Sequence, residues 1–350
     1  MERYLATLEH EELLVRRGRR SGAYCVVAVH STARGPALGG CRMWRYDDSR
    51  SAVRDALRLS RAMTFKSAVA GLPLGGGKGV IMLRDGVPAG RGRRDVLLDF
   101  ADTVEALAGR YVTAEDVGTS ARDMTVIAEN TAHVTGLSRR RGSSGDPSPF
   151  TALGVEAAVL TTCERVFGST SLRGRSISVL GLGNVGLRLA RLLTKRGATL
   201  VVADIDPARR ADAQRLGARW TTPEKALTAA VDLVAPCALG AILDHDAVAR
   251  LQAPAVAGAA NNQLADESVA VTLDQRGILW APDFVANAGG IINIAVELEP
   301  EGYDPSRARR RVRGIATTLG QIFDAAAGGA ITPLTAAMEL ARRRLAERHG

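Results

Sequence analysis

Aromatic side chains are scarce in this chain, at 4% of its residues. A surface that stacks nucleic-acid bases needs such rings, so that class of binder is disfavoured. Lysine is scarcer still: only Lys66, Lys78, Lys195 and Lys225 occur among 46 basic residues, the rest being arginine. The four cysteines, Cys25, Cys41, Cys163 and Cys237, lie far apart with no Cys-x-x-Cys pair, which argues against a disulfide framework and against a zinc site. Five scattered histidines supply no His-x-x-x-His pattern. No apolar run reaches membrane-spanning length, and Met1-Glu-Arg-Tyr lacks the basic-then-apolar order of a signal peptide. The expectation is a cytoplasmic, metal-free protein with no membrane or nucleic-acid partner.

What is present points to an α/β protein. The chain is 46% hydrophobic and 24% charged, carries 37 glycines, and at 350 residues is long enough for two domains with separate cores. Its net charge of +9 comes from arginines spread along the whole length, with runs at Arg139-Arg140-Arg141, Arg309-Arg310-Arg311 and Arg342-Arg343-Arg344. Such runs read as solvated helix faces rather than a dedicated nucleic-acid site.

Against that arginine background, Met63-Thr-Phe-Lys-Ser-Ala-Val-Ala-Gly-Leu-Pro-Leu-Gly-Gly-Gly-Lys-Gly-Val80 stands out because both of its cations are lysines. Arginine keeps its proton, whereas a desolvated lysine can approach neutrality and act as an acid or base. Gly75-Gly76-Gly77 beside Lys78 is expected to clear the surroundings of the ammonium so that a substrate can come close. Upstream, 24–30 reads as a strand, 31–40 as a glycine- and proline-rich loop and 51–64 as a helix. Downstream, a strand is predicted over 79–83, a helix over 95–108 and a strand over 111–114. This last strand ends in Glu115-Asp116-Val-Gly118, where open α/β sheets place ligand groups. Asp116 reads equally as a catalytic acid or as a charge favouring the start of a helix at Thr119 or Ser120. Lys78 and Asp116 are both predicted on loops beside strands of one sheet.

Residues 139–149, Arg-Arg-Arg-Gly-Ser-Ser-Gly-Asp-Pro-Ser-Pro, form the clearest linker. Beyond it, Thr151 is predicted to cap a helix over 152–167. A strand over 176–180 then meets Gly181-Leu-Gly-Asn-Val-Gly186, a helix over 187–196, and a strand over 199–203 that ends at Asp204, 18 residues past the last glycine. That arrangement is the dinucleotide-binding, or Rossmann, fingerprint. Gly181, Gly183 and Gly186 allow the tight turn and the approach of a pyrophosphate, Asn184 and Val185 complete the turn, and Asp204 accepts from the ribose hydroxyls. Asp204 favours NAD over NADP, a preference tempered by nearby Arg209 and Arg210. Segments 233–239, 255–260 and 277–280 extend the same sheet and end in small or polar residues, among them Cys237, Ala238 and Asn262. Asn287-Ala-Gly-Gly290 opens a helix over 291–298, and helices over 306–328 and 333–348 close the chain.

Taken in order, Gly35-Pro-Ala-Leu-Gly-Gly40, Met63-Thr-Phe-Lys66, Gly75-Gly-Gly-Lys78, Thr113-Ala-Glu-Asp-Val-Gly118, Val134-Thr-Gly136, Ala235-Pro-Cys-Ala-Leu-Gly240, Gly258-Ala-Ala-Asn-Asn-Gln-Leu264 and Ala281-Pro-Asp-Phe-Val-Ala-Asn-Ala-Gly-Gly290 resemble the glutamate/leucine/phenylalanine/valine dehydrogenase family. The resemblance covers nearly the whole chain. It implies a substrate-binding and oligomerisation domain over about 1–140, rejoined by a C-terminal helix over about 330–350, a Rossmann NAD-binding domain over 145–328, and an active site in the cleft between them. The implied reaction is reversible, NAD-dependent oxidative deamination of an L-amino acid to its 2-oxo acid and ammonia, in a homo-oligomer. By the same resemblance, Lys66 holds the substrate α-carboxylate, Lys78 activates water, and Asp116 exchanges protons with the amino group. Gly40, Met63 and Asn262 correspond to substrate- or nicotinamide-side contacts, Thr151 lies near the nicotinamide amide, and Asn287 joins Cys237 and Ala238 among the cofactor contacts.

The implied side-chain pocket is Leu38, Ala114, Ile291 and Ile294. With Leu38 in place of the lysine of glutamate enzymes, a second substrate carboxylate would be buried unpaired, which disfavours glutamate; two isoleucines and a leucine leave a small pocket, which favours leucine, valine or isoleucine. A phenylalanine or other aromatic amino acid dehydrogenase is the alternative within the class, and a silent NAD-binding or amino-acid-sensing protein the alternative outside it. Val296 and Asp146 depart from the family pattern, where relatives commonly carry aspartate and asparagine. The two lysines are separable by experiment. Steady-state kinetics should give a raised KM for Lys66→Arg and loss of turnover for Lys78→Arg; loss of turnover in both with binding intact would refute the division.

Overall fold

The structure, a computed structural model, describes residues 8–83, 86–138, 142–238 and 240–347. Arg139-Arg140-Arg141 and Leu239 therefore lie outside the described residues. The chain forms two compact α/β units. One contains the described residues up to Asp146 together with Ile294–Asp304 and Ala341 onward, and the other contains Pro147–Asn293 and Pro305–Leu340. Among the described residues, no helix is long and apolar enough to cross a membrane.

The first unit is a five-stranded sheet in the order β1-β2-β4-β3-β5. Its strands are β1 (Glu12–Arg17), β2 (Tyr24–Ser31), β3 (Ala37–Arg45), β4 (Gly75–Leu83) and β5 (Tyr111–Glu115). β1, β2 and β4 pair antiparallel, while β3 lies parallel between β4 and β5. Helix α1 (Ser49–Val69) begins where the Asp48 carboxylate accepts from Ser51 N at 2.7 Å. Its Ala52, Ala56 and Leu57 then pack with Val26, Ala28, Val80 and Met82 on one sheet face. On the opposite face, α2 (Gly90–Glu105) and α3 (Ala121–Ile127) bury Phe100, Val104, Met124 and Ile127 with Cys25, Cys41 and Ile81.

The glycine-rich stretches are strand interior rather than loop, contrary to the expectation for 31–40 and for the surroundings of Lys78. β3 starts at Ala37, and β4 is buried along its whole length. The sequence reads as loop because the glycines are there for close packing. A Cβ on Gly39 would lie 1.7 Å from Gly77 O, and one on Gly75 would lie 1.9 Å from Ser31 O. On Gly76 it would lie 2.1 Å from Thr64 N in α1, and on Gly77 2.5 Å from the Tyr111 ring. The triple glycine thus admits a helix backbone and an aromatic ring against the central strand.

Residues 294–304 belong with the first unit because the Glu297 carboxylate accepts from Ser143 Oγ at 2.6 Å and from Ser144 N at 2.9 Å. The last helix, Pro333–Ala346, does not pass whole to the first unit. Leu334 packs on the core of the second, whereas Arg344, beyond the division, donates to Val69 O at the end of α1. Arg34, 7% exposed, donates to Leu72 O at 3.1 Å nearby. Arg309, Arg310, Arg311, Arg342 and Arg343 are exposed, but Arg344 is an exception to the solvated-face reading because it donates to the last carbonyl of α1, Val69 O.

The second unit is a six-stranded parallel sheet, ordered β11-β10-β9-β6-β7-β8. Its strands are β6 (Ser176–Leu180), β7 (Thr199–Ala203), β8 (Arg219–Trp220), β9 (Leu233–Pro236), β10 (Ala255–Val256) and β11 (Leu279–Trp280). This is the doubly wound order, with its switch point between β6 and β9. Helix α4 (Ser148–Phe167) starts earlier than expected, because Pro147 and not Thr151 occupies the cap position; Pro149 fits the first turn, where no amide donor is needed. Thr151 instead donates to Pro147 O at 3.2 Å from inside the helix. The predicted helix over 306–328 is two, Pro305–Arg313 and Ile315–Gly329, divided at Gly314.

The packing of Gly76 gives a direct test. Gly76→Ala should lower stability by about 1–3 kcal/mol, because neither the α1 backbone nor the strand can yield without disturbing the other. Thermal unfolding should show a melting temperature below that of the unsubstituted protein.

Candidate active site and dinucleotide turn

Alternation along the strands places the candidate residues of the first unit on one face. Register pairs Leu38 with Gly76 and Val112, Gly40 with Ala114, and Ala28 with Lys78. Side chains two residues apart share a face, so Lys78, Leu38, Gly40 and Ala114 lie on the side covered by α1. Met63 and Lys66 stand half-buried near the end of that helix, flanking Thr64, whose backbone rests on Gly76. Gly40 is required at its position, since a Cβ there would come within 2.8 Å of Asp116 Cβ.

Lys78 is inside β4, not on a loop, and only 5% exposed. Its Nζ donates to Asp116 Oδ2 at 2.6 Å. Asp116 follows β5 directly, in a turn closed by Gly118, whose φ of 82° favours glycine. The helix-start role that Asp116 could have filled is taken by Asp123, which accepts from Ser120 N at 2.8 Å at the start of α3. A second cation shares the Asp116 oxygen: Arg42 Nε donates to Oδ2 at 3.1 Å. Sequence reasoning passed over Arg42. One signal in the chain points to it, its place two residues beyond Gly40, which strand alternation puts on the same face.

Burial pushes the Lys78 pKa below the ordinary lysine value, and the attraction of Asp116 only partly offsets this. For Asp116, burial pushes the carboxyl up, but Lys78 and Arg42 outweigh it and hold the group below its usual value. The arrangement is a lysine disposed to lose its proton beside a carboxylate disposed to stay charged. Glu115, its chain neighbour, is raised by burial and then by the nearby Asp146 carboxylate, so the Asp146 departure acts on charge in this unit. Val296 is fully buried. Of the four residues in the implied side-chain pocket, Leu38 and Ala114 are buried in the first unit with Ile294 half-buried, while Ile291 is buried in the second.

In the second unit the glycine turn lies at the switch point. A Cβ on Gly181, whose φ is 98°, would lie 2.7 Å from Ala238 Cβ, and one on Gly186 would lie 1.9 Å from Gly181 O and 3.1 Å from Cys237 Cβ. The ends of β6 and β9 therefore bring Cys237 and Ala238 to the turn, and Cys237 N donates to Leu180 O at 2.7 Å. Asn184 and Val185 complete the turn ahead of helix α5 (Gly186–Lys195). Gly183 differs from its partners, because a Cβ there would meet nothing within 4 Å. That open space over the backbone amides is where a pyrophosphate fits. Asp204 braces the turn, accepting from Leu182 N at 2.6 Å and from Asp206 N at 2.8 Å.

Asn287, 6% exposed, donates from Nδ2 to Asn261 Oδ1 at 2.9 Å and leaves its own Oδ1 buried with no partner among the described residues. An unmet acceptor of this kind fits an amide-bearing ligand. Asn262 is exposed with a φ of 51°, and Thr151 Oγ1 lies 2.8 Å from where a Cβ on Gly290 would stand. The residues present fit a nicotinamide dinucleotide. Gly183→Ala should fold with an unchanged melting temperature yet bind NADH at least about tenfold more weakly, read by fluorescence titration, whereas Gly186→Ala should lose stability.

The family profile described as Glu/Leu/Phe/Val dehydrogenase, dimerisation domain, matches residues 12–133, and the one described as Glutamate/Leucine/Phenylalanine/Valine dehydrogenase matches 206–349. A leucine dehydrogenase of Bacillus subtilis is 42% identical over 98% of this chain and 93% of its own length. A valine dehydrogenase of Streptomyces virginiae is 43% identical over 97% of this chain and 94% of its own. Among solved structures, an L-tryptophan dehydrogenase from Nostoc punctiforme superposes with a TM-score of 0.85 at 36% identity, covering 99% of this chain and 98% of the other. The chain belongs to the glutamate/leucine/phenylalanine/valine dehydrogenase family of amino acid dehydrogenases, with its two-domain α/β fold.

Proposed function

We propose that the protein is an NAD-dependent branched-chain L-amino acid dehydrogenase, interconverting leucine, valine or isoleucine with the corresponding 2-oxo acid. In the oxidative direction, amino acid, NAD and water give 2-oxo acid, ammonium, NADH and a proton. The observation that carries the reading is the buried Lys78 ammonium 2.6 Å from Asp116. Support for the substrate class comes from Leu38 and Ala114 on the same sheet face, which offer a side-chain carboxylate no charge, and from the leucine and valine dehydrogenases among its relatives.

The roles follow from charge and position. Lys66, less buried than Lys78, stays charged and holds the α-carboxylate. Asp116 takes a proton from the substrate amine through Oδ1, since Lys78 and Arg42 both occupy Oδ2. When bound, NAD would supply the acceptor for the hydride that leaves Cα as the amine becomes an imine. Lys78, neutral at alkaline pH, then takes the proton of the water that attacks the resulting imine carbon, and as an ammonium stabilises the oxygen formed there. Gly181, Gly183 and Gly186 would hold the pyrophosphate, Asp204 the ribose, and Thr151, Asn262 and Asn287 the nicotinamide end.

NAD is preferred over NADP in this reading. Asp204 repels a 2′-phosphate, and the two nearby arginines have partners of their own. Arg209 lies 3.7 Å from Asp206 and 3.5 Å from Asp212, and Arg210 lies over the Trp220 ring at 6.0 Å. The enzyme works as a homo-oligomer in the cytoplasm, the former in line with its match to a dimerisation domain. The tryptophan dehydrogenase among its structural neighbours supports the aromatic alternative. One substrate panel separates the readings. With NAD at alkaline pH, NADH formation should be fastest on leucine, valine or isoleucine and at least about tenfold slower on phenylalanine and tryptophan. Faster oxidation of an aromatic substrate would reassign the specificity, and no turnover on any apolar amino acid would sink the dehydrogenase reading.

A further inference from the structure

Arg42 is bonded at both ends. Its Nε donates to Asp116 Oδ2 at 3.1 Å, and its Nη1 donates to Asp55 Oδ2 at 2.7 Å. Asp55, on α1, is held in turn by the Tyr46 hydroxyl at 2.7 Å and by Arg58 Nη2 at 2.9 Å on its other oxygen. The side chains of Arg42 and Asp55 are only 22% and 16% exposed. A surface ion pair left to solvent would not be tied down by four bonds in series.

We propose that Arg42 is the positioning residue of the Lys78–Asp116 pair: anchored by Asp55, its planar guanidinium fixes the Asp116 carboxylate and supplies the permanent positive charge that lets Lys78 give up its proton. The inference rests on the dehydrogenase reading for its meaning in turnover, but its geometry stands apart from substrate. Two consequences follow from the bonding. First, Lys78 and Arg42 converge on one oxygen of Asp116, so the carboxylate is oriented with Oδ1 bonded to no described residue and left to the substrate amine. Second, once Lys78 is neutral, Asp116 would be a half-buried carboxylate with no counter-charge and would draw the proton back onto the pair. A guanidinium cannot lose its proton, so Arg42 keeps Asp116 compensated through that step. The same charge disfavours the Lys78 ammonium. A lysine at position 42 could carry the charge but could not span two carboxylates in a fixed plane.

The sign of the effect is fixed. Removing Arg42 should make Lys78 hold its proton more tightly, moving its titration to higher pH. Arg42→Gln and Arg42→Lys would be compared with the unsubstituted protein by competitive acylation of lysines across pH, read by mass spectrometry, with Lys195 and Lys225 as internal references. No substrate is needed. Arg42→Gln should move the Lys78 labelling midpoint up by about one pH unit, with the acid limb of kcat moving alongside it, and Arg42→Lys should restore most of the midpoint. An unmoved Lys78 midpoint in folded Arg42→Gln would overturn the proposal. Should Arg42→Gln fail to show a cooperative melt, Arg42→Lys carries the test. Its kcat should fall at least about tenfold with KM little changed, and unchanged kcat would overturn the proposal. A protein that oxidises no amino acid would defeat the functional reading, while the labelling result would still decide the role of Arg42.

Discussion

A lysine ammonium buried in the middle of a sheet, with a carboxylate at 2.6 Å, is the constraint around which the first unit is arranged. Desolvation disfavours its charged form, and a lone buried ammonium would be costly enough to expel from the fold. The surroundings meet that cost in an ordered way. β3 and β5 bring Asp116 to the ammonium, Gly40 leaves room for the approach, and Arg42 balances the carboxylate from the other side. Gly76 of β4 lets α1, the helix that carries Lys66, lie directly on the strand that carries Lys78. Packing and chemistry therefore depend on the same residues.

The second unit is arranged around a different constraint, the close approach of backbone at its glycine turn. Its parallel sheet changes direction between β6 and β9, and there Gly181, Gly186, Cys237 and Ala238 pack so closely that only small residues fit. Gly183 is the exception that leaves space. Asp204 accepts from Leu182 N within the turn and from Asp206 N beyond it, which ties the end of β7 to the turn.

Much of this could be read in the sequence, and the parts that could not have physical causes. The strands at 176–180 and 199–203 were legible to the residue because apolar runs bounded by turn residues have few alternative readings. Lys78 and Asp116 could be singled out as candidates from residue type and spacing, and the structure places them in contact. Their elements were not legible: glycine serves both loops and crowded strand interiors, and only the neighbouring atoms, Thr64 N and Tyr111 among them, distinguish the two. Arg42 was masked by composition, since one arginine among so many does not stand out until Asp55 and Asp116 are seen on either side of it. The return of 294–304 to the first unit was equally invisible, because it depends on Glu297 meeting Ser143 and Ser144 across more than 150 residues of chain.

The central claim is that Lys78 loses its proton more readily than an ordinary lysine while Asp116 stays charged. The scarcity of lysine makes this directly measurable. Protein labelled with carbon-13 at the lysine ε position carries only four such side chains, and Lys78→Arg identifies one resonance by its disappearance. Followed from neutral to alkaline pH, that resonance should titrate clearly below the ordinary lysine pKa of about 10.4. A Lys78 resonance that titrates at or above the ordinary value would contradict the account.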